Sequence, residues 1–370
     1  MKKIKVLEVI RQGQIGGGES HLADLIELMD KTVFEPVCLS FTYGEMIHRL
    51  EKIGIKCHVV ETTKPFNISI QHRIIQIIKK EGIDIIHAHG TRAASNVLYP
   101  SLRLKLPLVY TVHGWSFHDD QKRRTYTLRK WSEKLICSLA KRVICVSESN
   151  AETGKKVFGL RQCDVIENGI NLQRFNPFST YPNLRSEFGF TANDFIVGFI
   201  ARNTTQKDPL NFLQAVEEAH KQNPQVKALF VGEGDLDAET NAFIAVHHMQ
   251  DYLYQSKFRQ DVPALLHAID VYCLPSLWEG LSIALLEAMA MEKAIIATPT
   301  DGTKELLTHE KNGLVVPFQS PVDLASAILY FANTPELRER CSVNARKLVA
   351  QRFNAQRVAD VVGDIYKSII

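Results

Sequence analysis

The seven cysteines of this chain are odd in number and contain no C-x-x-C pair. That pattern fits reduced thiols of the cytosol better than a disulfide framework or a cysteine cage for zinc. Long apolar runs are also missing: no window approaches the ~20 consecutive apolar residues that span a bilayer. The amino-terminal MKKIKVLEVI is basic and then apolar, but Glu8 breaks a run that is already short, so it reads as a first strand and not as a signal peptide. Strong charge of one sign is absent too. A net +3 is too mild to argue for nucleic acid, and no zinc-finger, recognition-helix or RNA-binding signature accompanies it. What remains, 370 residues with 45% hydrophobic and 23% charged, is an ordinary soluble composition with room for two to three domains.

Buried-strand patterns alternate with helical ones along the whole chain, which predicts an α/β fold with parallel sheets. In the first half the expected strands are Ile4–Ile10, Val37–Ser40, Cys57–Val60, Ile83–His87, Leu108–Val112, Val143–Val146 and Cys163–Ile166. The series restarts with Phe195–Ile200, Ala228–Val231, Val271–Leu274 and Ile295–Thr298. Between them Asn171–Leu184 has two prolines and little periodicity, the composition of a linker. The expectation is two doubly wound, Rossmann-like domains, residues 1–172 and 185–354, facing each other across a cleft.

Within the second half, Glu287 is the only charged side chain in LSIALLEAMAM, and Glu279 stands just before that run. A helix apolar on every face is normally buried, and a carboxylate there costs several kcal/mol, roughly, unless donors reach it. The flanking strands place both glutamates at the carboxyl end of a parallel sheet, where ligands of open α/β sheets bind. The helix start at Gly280, Leu281 and Ser282 offers amides to an anion, whereas sugar or ribose hydroxyls donate to carboxylates. Arg202 and Lys207 follow the first strand of this half. Charged loop residues are usually just solvated, but two cations at a strand end can neutralise a diphosphate whose charge grows as it leaves.

In the first half, Gly16, Gly17 and Gly18 follow the first strand and open a helix, so the backbone can approach a ligand closely; a simple tight turn is the alternative. The stretch does not match G-x-G-x-x-G, and no acidic residue stands clearly at the end of the second strand, so a nicotinamide enzyme is the weaker reading. His113 ends a strand before a glycine, where it can reach a ligand. His87 and His89 point to one side of a strand end, but no third and fourth ligand are evident, so no metal is expected.

The stretch DVPALLHAIDVYCLPSLWEGLSIALLEAMAMEKAIIAT, with Glu279 and Glu287 separated by seven residues, resembles the signature of the retaining GT-B glycosyltransferases of family 4. VICVSES, VIENGIN and LFVGEGD extend the resemblance, which covers Gly16 to about Pro317. It implies front-face, metal-independent transfer of a hexose from a nucleotide diphosphate sugar, with retained configuration and no cofactor beyond that donor. Arg202, Lys207, Leu281 and Ser282 would hold the diphosphate, Glu279 the sugar hydroxyls, Glu287 the ribose and His113 the donor sugar. The glycine loop would lie near the diphosphate and acceptor, His87 and His89 on the acceptor side, and the last helix, about 355–370, would cross back onto the first domain. Domain closure would then exclude water. UDP, as in UDP-glucose, is the first expectation for the nucleotide, with a GDP-mannose-dependent enzyme next. The chain departs from the pattern at YQSKFRQDV, with Ser256 and Lys257 where the family has a glycine-containing loop near the base, and at Asp301 before Gly302. A sugar-nucleotide epimerase of similar fold and a non-catalytic sugar-nucleotide binder are the other readings.

Basic residues crowd the region of Lys122 to Arg142 against only Glu133, with Trp131, Leu135, Ile136 and Leu139 interleaved. Such a helix can lie on an anionic membrane, which would suit a lipid-linked saccharide acceptor. A solvated basic face over a core-facing stripe fits the same pattern. A cytoplasmic enzyme of polysaccharide or glycan biosynthesis, with peripheral association at the inner face of the membrane as a hypothesis, is the resulting expectation.

Overall fold

A computed structural model describes residues 2–14, 17–117, 122–279 and 281–370. The chain forms two compact units, Met1–Gly169 with Ala355–Ile370, and Ile170–Asn354.

The first unit holds a seven-stranded sheet, parallel throughout: β1 (Ile4–Ile10), β2 (Phe34–Ser40), β3 (Lys56–Val59), β4 (Ile85–His89), β5 (Leu108–Val112), β6 (Arg142–Cys145) and β7 (Asp164–Val165). Its order is β3-β2-β1-β4-β5-β6-β7, the doubly wound arrangement. Strand side chains alternate between faces. Leu7, Val9, Ile86, Ala88, Tyr110 and Val112 pack in one cluster. Val6, Ile85, Val109 and Ile144 pack in another, against the helix Ala355–Ser368. That helix buries Val358, Ala359, Val362, Ile365 and Tyr366, one stripe at helical spacing, in which the valine and isoleucine side chains contribute about 1.5–3 kcal/mol each. The end of the chain is therefore part of the first unit's core.

The second unit is a six-stranded parallel sheet of β8 (Phe195–Ile200), β9 (Val226–Val231), β10 (Leu253–Ser256), β11 (Val271–Leu274), β12 (Ala294–Ala297) and β13 (Leu314–Val315), in the order β10-β9-β8-β11-β12-β13. β10 and β13 were not marked as strands from the sequence. Both are edge strands and short, so neither carries a continuous buried run; Gln255 of β10 is exposed. Ser256 accordingly ends a strand, and Arg259 beyond it is forked onto Asp261 and Glu187. The segment expected as a linker packs instead onto the second unit, where Phe175 and Leu184 are buried in its core and Asn171 accepts from the amides of Gln173 and Arg174. The apolar helix after β11 runs from Ile283 to Ala290, two residues later than the expected start, because Ser282 is its N-cap and accepts from Leu285 N.

In the first unit the basic helix spans Arg123–Leu139. Its buried face is polar at one point: Glu133 is fully buried and receives Thr91 Oγ1, Tyr110 Oη and Ser116 N at 2.6, 2.9 and 3.0 Å. Ile136 also points inward, whereas Leu128, Trp131, Leu135 and Leu139 are 72, 60, 48 and 41% exposed. The apolar stripe is thus turned away from the core, against the solvated-basic-face reading.

Candidate functional site

In the second unit β8 and β11 are neighbours at the centre of the sheet, so the loops at their carboxyl ends meet. Two hydrogen bonds stitch them, Leu277 N to Gln206 O at 2.8 Å and Gln206 Nε2 to Trp278 O at 2.9 Å. The stitching brings Lys207, in a single turn of 3-10 helix, against Glu279: its ammonium donates to Glu279 Oε1, and Ser276 Oγ donates to the same oxygen at 3.1 Å. The Lys207 and Glu279 side chains are only 11 and 10% exposed. A pair this far from water survives only because each charge answers the other. Among the described residues no hydrogen bond falls on Glu279 Oε2, which leaves one carboxylate oxygen for a ligand's donors. Arg202 differs from Lys207: it is exposed, and its guanidinium has no hydrogen-bond or ion-pair partner among the described residues.

Glu287 lies half-buried on the helix Ile283–Ala290. Its neighbourhood is marked by Tyr272, whose hydroxyl is pushed up by burial and then by the Glu287 and Glu279 charges, and which donates to Ile200 O at 3.1 Å. Both carboxylates therefore sit near one buried phenol at the end of β8. Leu281 and Ser282 lead into the helix, whose first amides, at Ile283 and Ala284, form its positive end. Gly280 lies outside the described residues.

The GEG turn after β9 presses on the β8 loop. A Cβ on Gly232 would stand 1.8 Å from Ala201 O, and one on Gly234 2.3 Å from Asn203 O, so only glycine fits either place. Asn203, which the sequence reading passed over, is fully buried and donates to Asp237 Oδ1 at 2.6 Å and Thr240 Oγ1 at 2.8 Å. The glycines and this side chain hold the loop that carries Arg202 and Lys207.

In the first unit Glu8, His87, His89 and Thr111 share one face of the sheet by strand alternation, and His113 follows β5 on the same side. Glu8 is fully buried at the middle of β1 and was read from the sequence only as a break in an apolar run. It receives Tyr366 Oη at 2.7 Å, His89 Nε2 at 3.0 Å and His87 Nδ1 at 3.2 Å. Tyr366 also contacts His87 Nδ1, and Thr111 Oγ1 lies 2.7 Å from His87 Nε2. His89 Nδ1 meets His113 Nε2 at 3.2 Å. His21 adds its ring 5.1 Å from that of His113, edge-on. Gly17 and Gly18 open the helix Gly17–Leu28, and a Cβ on Gly18 would rest against the His113 ring at 3.5 Å; Gly16 lies outside the described residues.

The expectation that His87 and His89 lack further companions is therefore corrected. His21, His89 and His113 bring one potential ligand atom each within 4.8 Å of one another, as do Glu8, His87 and His89. Neither companion was legible because Glu8 and His21 come from different elements far from β4 in sequence.

Two family models match the chain, one described as Glycosyltransferase Family 4 over residues 15–174 and one as Glycosyl transferases group 1 over residues 181–348. The UDP-Gal:alpha-D-GlcNAc-diphosphoundecaprenol alpha-1,3-galactosyltransferase of Escherichia coli is 27% identical over 100% of this chain and 98% of its own. The alpha-D-kanosaminyltransferase of Streptomyces kanamyceticus is 23% identical, over 77% of each chain. Among solved structures, Anabaena HepE in complex with UDP and glucose superposes with a TM-score of 0.84 at 23% identity, covering 99% of this chain and 100% of that one.

Proposed function

Because the chain belongs to the group 1 glycosyltransferases of the GT-B fold, we propose that it transfers a hexose from a UDP-sugar, such as UDP-glucose, to a saccharide or lipid-linked saccharide acceptor with retention of configuration. The observation that carries the donor half of this reading is the Lys207–Glu279 pair at the carboxyl end of β8 and β11, beside the start of an apolar helix. A diphosphate arriving there meets the Lys207 ammonium, the exposed Arg202 and the amides at Leu281, Ser282 and the helix start. Lys207 then shares its charge between phosphate and carboxylate, and Glu279 turns to the sugar hydroxyls. Glu287 accepts from the ribose. As the glycosidic bond to phosphate breaks, charge grows on the leaving diphosphate, and cations already in place stabilise it without reorganising. In the first unit, His113 and the Gly17–Gly18 helix start serve the sugar side. No step in this scheme requires a metal or a further cofactor.

UDP as nucleotide and a lipid-linked acceptor are supported by the E. coli relative, whose name carries both. A panel of UDP- and GDP-hexoses, titrated by calorimetry and followed for slow nucleotide release without acceptor or metal, tests the donor. One UDP-hexose that binds and is slowly hydrolysed is the expected result. Binding of none overturns the donor assignment, and preference for GDP-mannose would move the base specificity to the other reading.

A lipid-linked acceptor calls for access to a membrane, and no helix among the described residues is long and apolar enough to cross one. Peripheral docking would supply that access, through the outward stripe Leu128, Trp131, Leu135 and Leu139 with Arg124, Lys130 and Lys134 around it. Beside that helix a groove of about 800 Å³ is lined by Lys134, Lys141, Arg142, Lys155 and Arg161, suited to anionic headgroups. The protein is expected to sediment with phosphatidylglycerol vesicles and not with phosphatidylcholine ones, and Leu128→Glu with Trp131→Glu to abolish this. Equal sedimentation with both lipids, or with neither, removes the proposal.

A further inference from the structure

We propose that the buried Glu8 carboxylate acts through His89 to hold His113 in a single tautomer, leaving a bare Nδ1 lone pair that accepts the hydrogen of a sugar hydroxyl. Glu8 and His89 are positioning residues in this arrangement, and His113 is the group that touches the ligand. The inference rests on the sugar-transfer reading above.

The tautomers follow from one another. Burial alone would raise the Glu8 carboxyl, but the His87 and His89 donors outweigh it and hold the group far below the usual carboxylate range. Glu8 is then a carboxylate that only accepts, so each atom reaching it brings a hydrogen. Burial and the neighbouring His87 hold His89 down at about 4, against the pull of Glu8. A neutral imidazole has one N–H, and His89 spends it from Nε2 on Glu8 at 3.0 Å. Its Nδ1 is therefore a lone pair, and the hydrogen in the 3.2 Å contact with His113 Nε2 must come from His113. Burial, with His21 and His89 nearby, also pushes His113 well down, so it too is neutral with its single hydrogen on Nε2. What is left is His113 Nδ1, an acceptor shielded from water that has no hydrogen-bond partner among the described residues. Tyr366, from the returning helix, fixes Glu8 from its other oxygen at 2.7 Å.

A buried acceptor without a donor is a standing cost in the empty protein, and a ligand that brings a hydroxyl relieves it. A phosphate oxygen, an acceptor itself, does not. The chain Glu8–His89–His113 therefore selects by hydrogen-bond polarity: sugar hydroxyl welcome, phosphate turned away.

Long-range proton–nitrogen NMR on the full-length, histidine-labelled protein reads these tautomers directly, with His113→Asn for assignment. The expected result is hydrogen on Nε2 and a bare Nδ1 for both His89 and His113. Glu8→Gln presents amide hydrogens to His89, which should move the hydrogen to Nδ1 in both rings. With UDP-glucose as donor, the same variant should raise KM about tenfold, the loss of one buried hydrogen bond, while kcat stays within about threefold. An Nδ1–H on His113 in the wild type overturns the relay, with no need for the variant to fold. A tautomer switch in Glu8→Gln that leaves KM unmoved overturns the assignment of the sugar hydroxyl to Nδ1. Wild-type protein with the stated tautomers that neither binds nor turns over UDP-glucose counts against the donor reading, and is thereby told apart from failure of the relay.

Discussion

Glu279→Ala should lower turnover of the cognate donor by about 10²–10³-fold, the usual cost of removing one group that acts on the transition state. Nucleotide affinity should change little, because the contacts proposed for the nucleotide lie on Arg202, Lys207, Glu287 and the helix start. Steady-state rates of nucleotide release, set against calorimetric affinity for UDP, separate the two quantities. Unchanged turnover would sink the role given to Glu279. The substitution also removes the only hydrogen-bond partner found for the Lys207 ammonium among the described residues. Some loss of stability follows, because the Lys207 ammonium is left nearly buried without its counter-charge. Glu279→Gln keeps the shape and the hydroxyl contacts, and its rate should fall between the two.

Lys207→Met should be the more damaging of the pair. Here the carboxylate is left nearly buried without its counter-charge, which costs about 3–5 kcal/mol when one partner of a buried pair is removed. The leaving diphosphate also loses its inner cation, while the exposed Arg202 remains. Both effects act on the transition state, and kcat/KM should drop by about 10³-fold with a measurable fall in melting temperature. Combining Lys207→Met with Glu279→Gln should recover most of the lost stability and none of the rate. Recovery of neither would mean that the two side chains are not coupled as the structure has them. Recovery of the rate would mean that neither is part of the chemistry.

The contrast between these residues shows what a sequence can carry. The buried strands of both sheets were legible from their apolar residues, in β1 despite Lys5 and Glu8; β1, β5, β8 and β11 have the expected bounds, whereas β4 runs from Ile85 to His89, two residues later than expected. β10 and β13 were not: β10 carries the exposed Gln255, and β13 spans only Leu314–Val315. The E-x7-E segment was legible as a unit because its residues are neighbours in the chain. The partner sought for a carboxylate in so apolar a place proved, for Glu279, to be Lys207, 72 positions away. The histidine cluster shows the same limit more sharply. His87 and His89 could be placed on one side of a strand by period two alone, whereas Tyr366 reaches Glu8 across 358 positions of sequence. One local signal was available and went unread: an acidic residue in the middle of a buried strand needs donors wherever it sits. Along the basic helix, spacing identified the interleaved apolar residues but not which of them look outward. Glu133 settles that, since its three donors lock the face that also carries Ile136 toward the core.

The helix Ala355–Ser368 gives the molecule an order of assembly in time. A ribosome delivers β1 long before Tyr366, so until residues 355–366 are made the carboxylate at residue 8 lacks one of its donors and the sheet lacks the cover of Val358, Val362 and Ile365. Domains generally fold as units, the amino-terminal one first as it emerges. Here the earlier-made unit has to wait for the later-made one: its closing helix is separated in sequence from the rest of it by the whole of Ile170–Asn354. A nascent chain of this protein therefore carries a half-dressed first unit until the segment through Tyr366 has been made.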